Sequence, residues 1–356
     1  MRHLPEMLRG EAGRILIVTD AWHAQVNGVV RTLSMLATQL EALGQRVMVV
    51  GPDRFCTLPC PSYPEIRLSL LPRRRMARLF DEFAPDALHI ATEGPLGIAA
   101  SRLARRAGWQ FTTAYHTRFP DYLAARIRMP QRLAYAWLRR FHGRGCGTMV
   151  ATRSLAAELK NHGFANTLLW SRGVDATLFH PDQAVTLPYE RPVFLSVGRL
   201  AVEKNVPAFL DLDLPGTKLI VGDGPERERL IRRYSGPRTV FLGARQGGEL
   251  ASLFASADVF VFPSRTDTFG LVVLEALAAG TPVAAFPVAG PRDIIGGVVP
   301  RVGALDDNLR TAALGALDVN RGDCRRFAEQ FSWAACASLF MDNLVPVRSG
   351  VTTPAL

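Results

Sequence analysis

Asp267 and Glu275 stand eight positions apart in PSRTDTFGLVVLEALAAGTPVAAFPVAGP, the stretch from Pro263 to Pro291. Between them, Phe269, Gly270 and Leu271 mark the point where a polar turn gives way to an apolar run. The first N–H groups of a helix starting there have no partner within the helix. They carry the positive end of its dipole, which suits a phosphate. Gly270 lets the backbone approach such a ligand closely. Glu275, one turn in, is placed to accept hydrogen bonds from a ribose, and Asp267 reaches the same crevice from the loop. Upstream, Arg199 and Lys204 lie five positions apart in GRLAVEKN. By themselves these two cations after a strand read as a solvated pair. His116 follows the run FTTAY. A lone histidine is more often structural, but its position at a strand end argues for function. Asp211-Leu212-Asp213 suggests a manganese clamp only superficially: it lies among leucines in a connecting segment. No metal is expected.

These residues need elements that present them at one edge of a sheet. Val259 to Phe262 reads as a buried strand stopped by Pro263. A helix follows through Ala279, with Gly280 and Pro282 as stop signals, and Val283 to Phe286 is the next strand. Strand, helix and strand form one βαβ unit, whose ligands bind at the carboxyl ends of the strands. The same alternation runs through the chain. Arg14 to Asp20 is a first strand, Ala21 to Gly28 a turn, and Val29 to Leu43 a helix stopped by Gly44. Strands follow at Val47–Val50, Asp86–Ile90, Phe111–Tyr115 and Met149–Thr152, the last leading to Ser154 as a helix cap. Pro192–Val197 begins a second half, continued by Leu219–Pro225 and Val240–Gly243, with Arg245 just beyond. The first loop contains Asn27-Gly28 rather than G-x-G-x-x-G, so a dinucleotide is not indicated.

The wording TDTFG-x-VVLEA, the GRL-x2-EKN stretch, the AYHTRFPDYL stretch and SRGVDATLFHP, Ser171 to Pro181, together resemble the retaining GT-B glycosyltransferases of family GT4. They are most similar to the bacterial mannosyltransferase and sulfoquinovosyl-diacylglycerol synthase branch. The resemblance covers about residues 14–345. Asp267 stands where the family usually has Glu, and Asn27 where it often has a second glycine. The resemblance implies an α/β, GT-B fold: two Rossmann-like domains facing a cleft, with a C-terminal helix crossing back to the N-terminal domain. The expected bounds are 1–181, 191–330, 331–345 for the crossover helix that Phe331-Ser332-Trp333 begins, and 346–356 for a disordered tail. It further implies a UDP- or GDP-sugar donor. Arg199 and Lys204 would hold the diphosphate, His116 and Asp267 the transferred sugar, and Glu275 the ribose. Gly28, Gly222, Arg245, Phe269, Gly270 and Leu271 would complete the donor site, with Asn27 towards the acceptor.

The chain has 356 residues and a net charge of +10, of which residues 101–150 alone carry +9 from ten arginines and Asp121. A local anionic partner is implied rather than a general solubility effect. Met129, Leu133, Trp137 and Phe141 fall on one helical stripe, with Arg132, Arg139 and Arg140 beside it, and Arg73 to Phe80 is a second basic, partly apolar segment. Basic amphipathic helices of this type lie on anionic membranes. A core-packed helix with a solvated arginine face is the plain alternative, and no nucleic-acid motif accompanies the charge. No apolar run is long enough to span a bilayer, and the N-terminus lacks a secretory core. Cys56, Cys60, Cys146, Cys324 and Cys336 form neither a zinc spacing nor an even disulfide set. The expectation is a cytoplasmic enzyme, peripheral to the inner face of the membrane, that glycosylates a lipid such as diacylglycerol. A soluble transferase acting on a polysaccharide or small glycoside, or a non-catalytic nucleotide-sugar-binding protein, remains open.

Overall fold

The computed structural model describes residues 13–348 apart from 23, 24, 26, 61, 62, 119 and 121–129. Met129, Asp121 and the tail from residue 349 lie outside the described residues. The chain forms two compact units. One contains the residues up to Ser171 together with those from Ala334, and the other runs from Arg172 to Trp333. The division falls ahead of the expected boundary at Pro181 because the intervening residues bond within the second unit: Val174 N donates to Phe331 O at 2.9 Å and bridges Ser332.

The first unit is a parallel sheet in the order β2-β1-β5-β6-β7-β8. Its strands are β1 (Arg14–Val18), β2 (Arg46–Val50), β5 (Ala87–Ile90), β6 (Thr112–Tyr115), β7 (Gly147–Val150) and β8 (Thr167–Leu169). A separate antiparallel hairpin, β3 (Thr57–Cys60) and β4 (Tyr63–Ser69), follows β2. The second unit is a parallel sheet ordered β11-β10-β9-β12-β13-β14. It contains β9 (Val193–Val197), β10 (Thr217–Val221), β11 (Thr239–Gly243), β12 (Val259–Phe262), β13 (Val283–Ala285) and β14 (Gly303–Leu305). Helices on both faces explain why strands such as VFVF and ALHI are apolar without alternation and buried throughout. Each sheet has one switch point where strand order reverses, between β1 and β5 in the first unit and between β9 and β12 in the second. Ligands of such sheets bind outside the carboxyl ends of the strands at that place.

Local chemistry sets the helix ends. In α1 (Gly28–Ala42), Leu33, Leu36 and Leu40 are wholly buried, whereas Leu43 lies past the end and is exposed. Gly44, at φ +81, takes the left-handed turn that stops it. The helices α2 (Arg73–Phe83), α3 (Pro95–Arg106) and α4 (Gln131–His142) follow β4, β5 and β6. For α5 (Arg153–Asn161) the cap is Thr152, whose side chain accepts from Leu155 N at 3.2 Å. The expected cap, Ser154, is already inside the helix. The remaining longer helices are α6 (Arg227–Tyr234), α7 (Gly247–Ser256), α8 (Leu271–Ala278), α9 (Arg321–Ala328) and α10 (Trp333–Asn343). From Ala334 onward α10 belongs to the first unit, as expected of the crossover helix. Trp170 Nε1 donates to Cys336 O at 3.2 Å, Asn343 Nδ2 donates to Leu169 O at 2.8 Å, and Phe340 packs against Trp170 and His89.

Arg325 of α9 fastens the start of the second unit. Its Nη1 donates to the carbonyls of Ala176 at 2.9 Å, Phe179 at 2.8 Å and Ala278 at 2.9 Å. Replacing it strands three poorly solvated acceptors, each costing about 1 kcal/mol or more. Arg325→Met is therefore expected to lower unfolding free energy by about 3 kcal/mol in urea titrations followed by circular dichroism. A change within about 0.5 kcal/mol, the range of ordinary surface substitutions, would show that these contacts do not hold the unit together.

Candidate active site

At the switch point of the second unit, two loops meet. The first leaves β9 at Gly198 and forms a short 3-10 turn, Val202–Lys204. The second leaves β12 at Pro263 and enters α8. Side-chain bonds join them. Lys204 Nζ meets Asp267 Oδ1 at 2.5 Å and Asn205 Nδ2 donates to Pro263 O at 3.1 Å. Thr266 Oγ1 and Ser264 Oγ donate to Glu203 O at 3.2 and 3.4 Å. Arg199 is half-buried on the first loop, five positions ahead of Lys204. Lys204 and Asp267, assigned above to the diphosphate and the sugar, are paired with each other. Beside them, Gly222 at φ +144 passes so close that a Cβ there would sit 1.8 Å from Gly198 O; only glycine fits.

The α8 helix begins behind Gly270, at φ +93, an N-cap residue with no side chain of its own to cap it. Its opening amides follow the carboxyl end of β12, on the loop whose Asp267 meets Lys204, and a helix dipole with a cation held to that loop suits an anion. Phe269 is 6% exposed and packs beneath this turn. Glu275 is one turn further and only 3% exposed, so its carboxylate lies within the second unit rather than in open solvent. Arg245 is not brought to this assembly. Strands β10 and β9 separate its strand, β11, from β12, and it is exposed, 3.8 Å from Glu249. Asp211 accepts from Tyr234 Oη at 2.8 Å, and both Asp211 and Asp213 are exposed.

The equivalent place in the first unit is filled by the chain itself. Asp20, just after β1, accepts from Leu96 N at 2.8 Å and Gly97 N at 3.3 Å, the opening amides of α3, and from Thr92 Oγ1 at 2.8 Å. Burial pushes its carboxyl above the usual range against these bonds, with Glu93 adding to the shift. A Cβ on Gly94 would lie 2.5 Å from Asp20 Cγ, so the glycine makes room for the carboxylate. Next to it Glu93 Oε1 meets His142 Nε2 at 3.1 Å, and His142 Nδ1 lies 2.9 Å from Thr113 Oγ1. None of Asp20, Glu93 or His142 was singled out in the sequence. The available signal was Glu93 directly ahead of a helix that opens with Gly94-Pro95. His116 stands at the carboxyl end of β6, edge-on to Trp170 at 5.7 Å between centroids. Gly28 is the exposed first residue of α1. Asn27 has a structural part: its Oδ1 accepts from Val29 N and Val30 N at 3.0 Å each, and its Nδ2 donates to Gln25. It caps the helix, and both ends of its amide are in use.

The stripe on α4 also differs from expectation. Phe141, Leu138 and Tyr135 face the core, leaving only Leu133 and Trp137 of the described apolar residues exposed, at 55% and 40%. Arg139 Nη1 donates to His162 O at 3.1 Å, at the end of α5. Because α4 runs against the strands, only its first residues, including Arg132 and Leu133, reach the carboxyl edge of the sheet. Arg139 and Arg140 lie near the opposite edge, where Cys146 N donates to Phe111 O just before β6. There Arg102, Arg105 and Arg140, together with burial, hold the Arg144 guanidinium below its usual range. The exposed Leu70 and Leu71, at 46% and 94%, stand with Arg73, Arg74 and Arg75 at the start of α2, on the carboxyl edge. Arg75 lies over the Phe55 ring there.

Comparison with known proteins agrees with this geometry. Residues 26–178 match the family described as Glycosyltransferase Family 4, and residues 191–314 that described as Glycosyl transferases group 1. The chain is 32% identical to a GDP-mannose-dependent alpha-mannosyltransferase of Mycobacterium tuberculosis, covering 96% of this chain and 99% of that one. It is 25% identical to an alpha-monoglucosyldiacylglycerol synthase of Streptococcus pneumoniae, over 76% and 70% of the two chains. Among solved structures, sucrose-phosphate synthase from Thermosynechococcus elongatus superposes with a TM-score of 0.74 at 21% identity, over 92% and 97% of the chains. The fold is GT-B, and the chain belongs to the GT4 family of glycosyltransferases.

Proposed function

We propose that the protein is a retaining glycosyltransferase that moves a hexose from a GDP- or UDP-sugar to a membrane lipid such as diacylglycerol, without a metal ion. The observation that carries this reading is the contrast between the two switch points. In the first unit Asp20 occupies the α3 N-terminus, whereas in the second the N-cap of α8 is Gly270, which has no side chain to offer, and the loop that enters the helix holds Lys204 through Asp267. An external dianion such as a diphosphate satisfies the second and is excluded from the first. The similar mannosyltransferase uses GDP-mannose, and the similar synthase makes a glycosylated diacylglycerol, by their names.

In this mechanism Arg199, Lys204 and the amides of Phe269 to Leu271 take up the charge of the leaving diphosphate, and Glu275 orients the ribose. His116 contacts the transferred sugar. In this reading no carboxylate acts as a nucleophile, and the acceptor hydroxyl attacks on the face the phosphate leaves. The departing phosphate oxygen takes the hydroxyl proton. Cations fixed before the reaction stabilise charge that develops only in the transition state, which is where binding raises turnover.

The charge distribution supports a lipid acceptor met at the carboxyl edge of the first sheet. Leu70 and Leu71 present apolar side chains there, followed in the chain by Arg73 to Arg75, each basic residue contributing about 1 kcal/mol near an anionic surface. The arginines of the opposite edge have no part in this contact. No helix among the described residues is long and apolar enough to cross a membrane, so association is peripheral in this reading.

Two outcomes are expected. With EDTA present throughout, wild type keeps its activity, while Arg199→Ala or Lys204→Ala lowers kcat by at least about tenfold, equivalent to 1.4 kcal/mol of leaving-group stabilisation. Unchanged kinetics in both variants, or loss of wild-type activity that manganese restores, would contradict the clamp. The protein sediments with anionic but not neutral liposomes at low salt. Replacing Arg73, Arg74 and Arg75 with Glu abolishes that binding, and replacing Arg139 and Arg140 does not. The reverse pattern would place the lipid contact on the other edge.

A further inference from the structure

The Lys204–Asp267 pair has a consequence for how the site is emptied. Both side chains are mostly out of water, at 28% and 18% exposure, and their charged atoms are 2.5 Å apart. Asp267 differs from Asp20, which three donors build into the loop. Its only hydrogen bond among the described residues is to Lys204, and its Oδ2 is buried with no partner. The surrounding loop is held by other residues: Asn205, Ser264 and Thr266 bond across it through Pro263 O and Glu203 O. Removing the Asp267 carboxylate therefore leaves the loop's own ties in place.

A cation in this position needs an anion beside it, because an uncompensated half-buried charge is costly. When a diphosphate is present it can supply that anion; when it is absent, Asp267 does. We propose that Asp267 is a built-in counter-ion that Lys204 exchanges for the diphosphate, and that this exchange sets how readily the diphosphate product leaves. The inference rests on the donor-site reading above and adds to it. Binding breaks the ion pair and leaves a carboxylate close to phosphate oxygens of like charge, which weakens the bound state. Departure of the product lets the pair re-form. Asp267 is in this sense a positioning and release residue that acts through Lys204.

The test is calorimetric titration of GDP and UDP, without any sugar, into the full-length protein and its variants. Asp267→Asn and Asp267→Ser are both expected to bind the preferred diphosphate about tenfold more tightly than wild type, with product inhibition strengthened in the same proportion. Asp267→Glu, which keeps the charge, stays within about twofold of wild type. In a Lys204→Met background the tightening is expected to disappear, because no lysine remains to exchange partners. If Asp267 serves only to hold the sugar, both neutral variants bind diphosphate as wild type does. If it serves only to hold the loop, they bind more weakly. Either result overturns the proposal, and so does a tightening that persists undiminished beside Lys204→Met. Failure of wild type to bind either diphosphate would instead remove the donor-site reading, and the exchange with it.

Discussion

A helix that starts at the edge of a parallel sheet presents amides and a dipole that need an anion. Each unit of this protein meets that requirement at its switch point, and they do so differently. The first supplies Asp20, held by two amides and a threonine hydroxyl. The second has a glycine, Gly270, at the α8 N-cap and brings Lys204 to the loop that enters the helix, paired with Asp267. Two similar sheets thereby acquire unequal chemistry: in one an acid caps the helix, and in the other an acid on the entering loop pairs with a lysine. The functional reading depends on that inequality.

Much of this was legible in the sequence where the determinants are local. Strands covered on both faces announce themselves as unbroken apolar runs, and the clamp cations and paired acids each lie within one short stretch. What escaped was set by distant contacts. Asp20 meets Leu96 and Gly97, more than seventy positions away, so nothing near Asp20 in sequence betrays its role. The hairpin of β3 and β4 was missed because Pro59, Pro61 and Pro64 break the alternation that marks a strand. Proline is tolerated there because the hairpin lies outside the main sheet.

The arginine-rich segment teaches a related lesson. A charge count locates the excess in residues 101–150 but not on an edge of the sheet. Direction decides that: a helix antiparallel to its strands carries its last turns away from the carboxyl edge. Arg139 and Arg140 therefore sit far along α4 from the loops that present His116, whereas Arg73 to Arg75 open α2 at the edge itself. The helical spacing likewise placed Phe141 on the exposed stripe, yet it is 3% exposed and packs in the core. Four-residue spacing defines a stripe but does not say which way it faces.

Hydrogen exchange measured by mass spectrometry on the full-length protein, with and without GDP or UDP, tests the central claim most directly. Amides of residues 198–205 and 269–272 should gain protection with one of the two diphosphates, while those of Leu96 and Gly97, already bonded to Asp20, should not change. Protection confined to the first unit, or absent from the start of α8, would contradict the account.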